Sequence, residues 1–176
     1  MFEAIEKRRT CRNFDTSRPI PQEILETIAK AGVVAPTGCD AQSFDLYVVS
    51  KQDVLDRVAE AAANNLPEPF KAKGFSPERI FYHAPTVIFI VPSRAERADC
   101  VNYDLGIIAD SICIAAELSG VSSAVIGLAS MCPAQKLKEI LNLPNGTTAI
   151  GVALGYATSD WTPQPKEIRS KIQWIE

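Results

Sequence analysis

The stretch Cys100 to Gly120, CVNYDLGIIADSICIAAELSG, holds no proline and a single internal glycine, and the apolar run SSAVIG follows it. A segment of this length and composition is read as a helix, and at about 1.5 Å per residue it crosses a small domain. Its polar residues constrain the fold most. On a wheel of roughly 100° per residue, Asp104 and Ser111 share one edge and Asp110 and Glu117 share another. Between those edges runs a narrow stripe of Tyr103, Ile107, Ile114 and Leu118, opposite a wide apolar arc of Val101, Leu105, Ile108, Ala109, Ile112, Ala115 and Ala116. A surface helix needs only one apolar face. Two faces leave two readings: a helix enclosed on all sides within one domain, or a helix packed on its own sheet and also on the same helix of a second subunit.

At 176 residues the chain is the size of one domain with a substantial core. A net charge of −3 and a pI near 5.3 give no electrostatic case for nucleic acid or an acidic membrane as partner. The opening MFEAIEKRR has no apolar signal core and no run reaches membrane-spanning length, so the chain is expected in the cytoplasm. Five cysteines, odd in number and without a CxxC pair, indicate neither a disulfide framework nor a zinc site.

Taken in order, the pattern predicts a short helix over Phe2 to Arg9 with Phe2, Ala4 and Ile5 inward, then the basic run RRTCRNF. A second helix starts at Pro21 and buries Ile24, Leu25, Ile28 and Ala31, and Pro36 closes it. Phe44 to Ser50 alternates as a strand, and Lys51 to Asn64 returns to helical periodicity. Asn65 to Ser76 has little regular pattern and is a loop or a lid. Thr86 to Val91 is a continuous apolar strand, Ala124 to Gly127 another, Pro133 opens a helix, and Thr147 to Tyr156 is the last strand. From Ala157 the chain is rich in proline and polar residues yet ends with Ile172, Trp174 and Ile175, a tail expected to dock on another surface. Strands separated by too few helices for a doubly wound sheet predict an α/β sandwich with a mixed central sheet.

The catalytic repertoire is small. The one histidine, His83, stands just before a strand and reads as structural; no metal cluster, GxSxG elbow, HExxH, GxGxxG or GxxxxGKS is present. The run GVALG fits a strand with two close-packing positions better than a phosphate loop. Cys39 has no base nearby in sequence to activate it. What remains is RRTCR, which sets Arg8, Arg9 and Arg12 around Thr10 at a helix exit. Arginine forks match phosphate oxygens bidentately. The same run also fits a solvated basic helix end favoured by the helix dipole. Lys166 and Arg169 return basic charge from the tail, so that a phosphate can be clamped from two sides.

These pieces together resemble the FMN-dependent nitroreductase family over nearly the whole chain. RRTCRNF is similar to that family's RRSxRxF entry, and AGVVAPTGCDAQSFDLYVV to its A-PSGGNxQPWxFxVV segment. YHAPTVIFIV, the helix DLGIIADSICIAAELSG with SSAVIG, and ALGY before the proline-rich tail follow in the family's order. The resemblance implies an α/β (α+β) three-layer sandwich with a mixed, mostly antiparallel central sheet flanked by helices, forming one FMN-binding domain over residues 1–176 in a homodimer joined along the long helices, with residues 157–176 an arm reaching the partner subunit. It implies FMN as cofactor and no catalytic side chain or metal, because the flavin carries the chemistry. NADH or NADPH would supply a hydride and a nitroaromatic, quinone or similar small acceptor would receive it, in ping-pong order. By position, Arg8, Arg9, Thr10 and Arg12 should face the phosphate and ribityl chain, with Arg12 or Arg8 the main phosphate ligand. Pro36, Thr37, Gly38, Asp40 and Gln42 should lie beside the ring from the other subunit. Gly127, Leu128 and Ala129 should offer backbone N–H groups to its edge, and Lys166 should be a basic phosphate ligand. Asp40 in place of asparagine, Ser43-Phe44 in place of proline-tryptophan, and LASMC after Gly127 depart from the family's pattern. A carboxylate near a flavin disfavours the anionic reduced form. Two other readings remain: a flavin-binding or storage protein with little turnover, and a branch of the family that performs dehalogenation or dehydrogenation.

Overall fold

The computed structural model describes residues 3–93 and 99–175. Phe2 of the first expected helix and Glu176 of the expected arm lie outside the described residues. The helices are α1 (Glu3–Lys7), α2 (Gln22–Val33), α3 (Gln52–Asn64), α4 (Glu68–Lys71), α5 (Glu78–Phe81), α6 (Val101–Leu118) and α7 (Ala134–Leu141). The strands are β1 (Phe44–Val49), β2 (Thr86–Pro92), β3 (Ser122–Ile126) and β4 (Ile150–Gly155).

The sheet has the order β1-β2-β4-β3, with every neighbouring pair antiparallel. A parallel component enters through an isolated bridge between Thr10 and Ser123 on β3. Strand β2 explains why its sequence is apolar without alternation, since both faces are covered. Val87, Phe89 and Val91 point into a core shared with Leu55 and Val58 of α3, Ile80 of α5 and Leu137 of α7. Ile88 and Ile90 point the other way, against Leu25 and Ile28 of α2 and Ile108 and Ile112 of α6. Helices therefore cover the sheet on both sides, the expected three-layer sandwich. Each fully buried aliphatic or Phe side chain contributes about 1.5–3 kcal/mol. In the GVALG strand, a Cβ on Gly155 would lie 2.8 Å from Phe14 Cδ1 and 2.8 Å from Pro85 Cδ. That glycine is a packing position.

Helix α6 carries the two faces read from its sequence. Ile108, Ala109, Ile112 and Ala116 of the wide arc are buried against α2 and the sheet. In the narrow stripe Tyr103 is 73% exposed, Ile107 40% and Leu118 75%, and Ile114 is half-buried. Asp104 departs from its expected edge: it is 3% exposed, for a reason given below. Two further differences concern short helices. Ile5 is 59% exposed rather than inward, because α1 is a little over one turn long and presents no buried residue. The stretch read as loop or lid contains the single turn α4, opened by Pro67, with the Phe70 and Phe75 rings packed edge to face at 5.7 Å. Among the described residues no helix is long and apolar enough to cross a membrane.

Candidate functional site

The RRTCR run leaves α1 and is strapped beside β3. The Cys11 amide donates to the Ser123 carbonyl at 3.0 Å and the Asp15 amide to the Tyr156 carbonyl at 2.8 Å, while Phe14 bridges Ala157. Cys11 and Phe14 face the core, so their neighbours Arg12 and Thr10 must face out. The tail runs alongside. The Thr158 amide donates to the Asn13 carbonyl at 3.1 Å, and Trp161 packs on the core edge.

This arrangement builds a groove of about 560 Å³ lined by Arg8, Arg9, Thr10, Arg12, Trp161, Thr162, Gln164 and Lys166. Four cations line it and no carboxylate does. Arg9 is partly committed: its Nε–H donates to the Gln164 carbonyl at 3.1 Å, and its Nη1 donates to the carbonyls of Glu6 and Arg8. It therefore ties the tail to the helix exit while still lining the groove. Among the described residues no carboxylate pairs with Arg8, Arg12 or Lys166. The Arg12 guanidinium lies over the Tyr82 ring, 5.7 Å from its centroid, within cation–π range.

Thr10 and Arg12 also line an adjoining hollow of about 70 Å³ with Tyr82, Gly127 and Leu128. Gly127 opens a 3₁₀ turn, Gly127–Met131, whose first N–H groups have no carbonyl ahead of them within the turn. The Ala129 side chain is 1% exposed and belongs to the core, so only its backbone is on offer. The structure thus brings Arg8, Arg9, Thr10, Arg12, Lys166, Gly127 and Leu128 into one neighbourhood. Trp161, Thr162, Gln164 and Tyr82 join them, residues that sequence reasoning missed; the only signal was their nearness to Lys166 or to the strand after His83.

The other expected residues sit elsewhere in the chain. Thr37 and Gln42 line a separate hollow of about 140 Å³ with Gly32, Phe44, Leu46 and Ile108, and none of these lines the basic groove. Here a tight turn, Gly38–Asp40, packs on the first turn of α6. The Gly38 amide donates to Asp104 Oδ1 at 2.9 Å, which is why Asp104 is buried. A Cβ at position 38 would lie 2.6 Å from Cys100 Sγ, so glycine is required there for space. The Gln42 amide donates to Thr37 Oγ1 at 3.0 Å and its Nε2 to Asp40 Oδ1 at 2.9 Å. Pro36 and Asp40 are exposed. Cys39, Asp40 and Gln42 have φ of 54°, 53° and 48°, left-handed conformations that cost non-glycine residues of order 1–3 kcal/mol each.

A larger cleft, about 730 Å³, is lined by Asp56, Glu60, Glu78 and His83 among others. A hydrogen bond from the Ser76 hydroxyl, then one from its own amide, hold the Glu78 carboxyl below the usual range. That cleft is anionic and repels a phosphate.

Residues 5–156 match the profile of the Nitroreductase family. Among solved structures, the chain is similar to a nitroreductase with bound FMN from Bacteroides fragilis, with TM-score 0.85 and 24% identity over 99% of this chain and 98% of that one. A second, with bound FMN, from Desulfitobacterium hafniense gives 0.82 and 24% over 99% and 97%. The FMN-dependent nitroreductase NfnB from Mycobacterium smegmatis, in complex with NADPH, gives 0.75 and 20% over 98% and 97%. At these identities the likeness is one of fold. A 59-residue stretch is 32% identical to iodotyrosine deiodinase 1 of Rattus norvegicus, spanning 34% of this chain and only 20% of that protein's length. With the family profile matched from α1 to the end of β4, and the fold shared along almost its full length, the chain belongs to the nitroreductase family.

Proposed function

We propose that the protein is an FMN-dependent oxidoreductase that takes a hydride from NADH or NADPH and passes it to a nitroaromatic, quinone or similar small acceptor. The observation that carries this reading is the groove in which Arg8, Arg9, Arg12 and Lys166 meet with no lining carboxylate, in a chain whose net charge is −3. A phosphomonoester carries about −1.5 to −2 charges at pH 7, and guanidinium forks bind it through charge-assisted hydrogen bonds. The residues fit the group. Arg8, Arg12 and Lys166 would hold the phosphate, Thr10 and Thr162 add hydroxyl donors, and the turn at Gly127 would present N–H groups to the ring edge. When bound, FMN supplies acceptance and donation of the hydride; the chain supplies binding, orientation and exclusion of water.

The loop Pro36, Thr37, Gly38, Asp40 and Gln42 would complete the site from a second copy of the chain. The exposed stripe of α6 and the exposed Ile168, Ile172, Trp174 and Ile175 of the tail support that homodimer. Since the two substrates would use one site in turn, double-reciprocal plots of NAD(P)H oxidation at several quinone concentrations should be parallel. Absence of turnover with every acceptor would favour a flavin carrier. The stretch similar to the deiodinase favours a second reading, reductive dehalogenation of an iodinated phenol. Comparing turnover of iodotyrosine with that of a nitroaromatic decides between the two.

Titration of the apoprotein with FMN and with riboflavin tests the site directly. Charge-assisted contacts contribute roughly 1.5–3 kcal/mol each, so Arg12→Ala and Arg8→Ala should each weaken FMN about 10- to 100-fold. Lys166→Ala should weaken it less, because an exposed lysine is a point charge on a flexible stem. Riboflavin, lacking the phosphate, should bind weakly and ignore all three changes. FMN affinity equal to wild type in both arginine variants would reduce the cluster to a solvated helix end.

A further inference from the structure

Arg9 differs from the other cations of the groove in where its donors go. A guanidinium carries its N–H donors in a fixed planar fork, and on the half-buried Arg9 three of them are taken by backbone carbonyls. Nη1 donates to the carbonyls of Glu6 and Arg8, and Nε–H donates to that of Gln164 at 3.1 Å. The Glu6 carbonyl stands at the end of α1, where the last carbonyls of a helix have no partner in the next turn. Arg9 thus takes its footing on the helix exit and reaches the tail, 155 residues further along the chain.

That reach matters because little else holds this part of the tail. Residues 162–175 are exposed. Beyond Trp161, among the described residues, the bond to Gln164 is the single hydrogen bond between the tail and the rest of the chain. Gln164 stands between Pro163 and Pro165. Each ring fixes its own φ, and a residue before proline is confined to extended backbone. Fixing the Gln164 carbonyl therefore also aims Lys166, which lines the groove two residues on. A lysine on a loose segment gives up backbone and side-chain freedom when it meets an anion. Holding the segment in advance removes part of that loss.

We propose that Arg9 is a positioning residue: it latches the tail at Gln164 so that Lys166 meets the phosphate, and it acts through Lys166 and not on the phosphate itself. The proposal rests on the reading of this groove as the FMN phosphate site. Lysine at position 9 would keep the charge, but an ammonium has no planar fork to span the helix exit and Gln164 together.

A double-mutant cycle on the full chain tests the latch. FMN and riboflavin affinities are measured for wild type, Arg9→Met, Lys166→Ala and the double variant, and again with Arg9→Lys in place of Arg9→Met. Lys166→Ala should weaken FMN about threefold or more in the wild-type background and hardly at all once Arg9 is replaced, by methionine or by lysine. Riboflavin affinity should be unchanged throughout. Effects that multiply would make Arg9 an independent phosphate contact and overturn the proposal. Wild-type FMN affinity in Arg9→Lys would reduce Arg9 to its charge, and a parallel fall in riboflavin affinity would reduce it to general support of the fold; either overturns it. Wild type that binds no FMN refutes the underlying reading and the proposal with it, whereas FMN binding with multiplying effects refutes the latch alone. The Arg9→Lys cycle decides, should Arg9→Met fail to fold.

Discussion

Residues 8–12 and the loop 36–42 both supply candidate binding groups, yet they are held in opposite ways. The first is strapped into the sheet layer: Thr10 bridges Ser123, the Cys11 amide bonds the Ser123 carbonyl, and Cys11 is fully buried. With its backbone so satisfied, it can display Arg8 and Arg12 with no carboxylate partner among the described residues. The second has no strand partner among the described residues. It is shaped by bonds within the turn, by three left-handed non-glycine residues, and by one amide handed to Asp104 on α6. Strain of this kind persists only where the surroundings over-determine it. The first half is a cation display on a rigid support, and the second is a shaped surface whose conformation depends on the helix beneath it.

If the two halves meet only across two copies of the chain, the stripe on α6 is where the comparison breaks first. Ile107 is 40% exposed in the single chain, so Ile107→Asp should leave that chain folded. In a dimer seam, a carboxylate buried without a partner costs several kcal/mol, of order 3–5. Light scattering should then report the single-chain mass where wild type reports twice that, with circular dichroism unchanged. Wild type running as a monodisperse monomer with FMN bound would refute the pairing.

A smaller effect separates the anchors. Asp104→Ala leaves the Gly38 amide without its acceptor, which costs roughly 1–3 kcal/mol, and urea denaturation should show that loss. Asp104→Asn, whose side-chain oxygen can still accept, should recover much of it. Equal stability of Asp104→Ala and wild type would mean that the loop is held by something other than this bond.

The smallest effect concerns the buried cysteines, Cys11 of the first half among them. Burial raises the folded Cys11 thiol, and it does the same for Cys113 and Cys132. The folded state therefore keeps these protons more tightly than the unfolded chain does. Their contribution is complete below the unfolded thiol value, about 8.5, and is lost as pH rises through the raised folded values. Melting temperature should fall between about pH 8 and pH 10, with a shallower slope in Cys11→Ala.

Much of the fold was legible because the signals are local. Helices α2, α3, α6 and α7 and all four strands follow from apolar spacing, and the double-faced character of α6 follows from where its four acidic or hydroxyl residues fall on the wheel. What escaped was short or distant. Helix α5 is a single turn, too brief for periodicity. Ile5 falls on the expected inward face of a helix, but α1 is too short to bury it. In the site, RRTCR was legible as a dense basic run, while the diversion of Arg9 to the Gln164, Glu6 and Arg8 carbonyls was not. The left-handed turn at Cys39 and Asp40 left no trace either, because its one glycine serves close approach to Cys100 and takes no positive φ.

By itself, then, the sequence determined the layers and the candidates. Apolar periodicity is set by 3.6- and 2-residue repeats, and the excess of cations at 8–12 and 166 is a matter of composition. Only the tertiary structure decided which candidates share a groove, that Asp104 is buried to receive the Gly38 amide, and that Gly38 packs against the Cys100 side chain. Those outcomes depend on contacts between residues distant in the chain, where the partner of a polar group is chosen by packing of the elements that carry it.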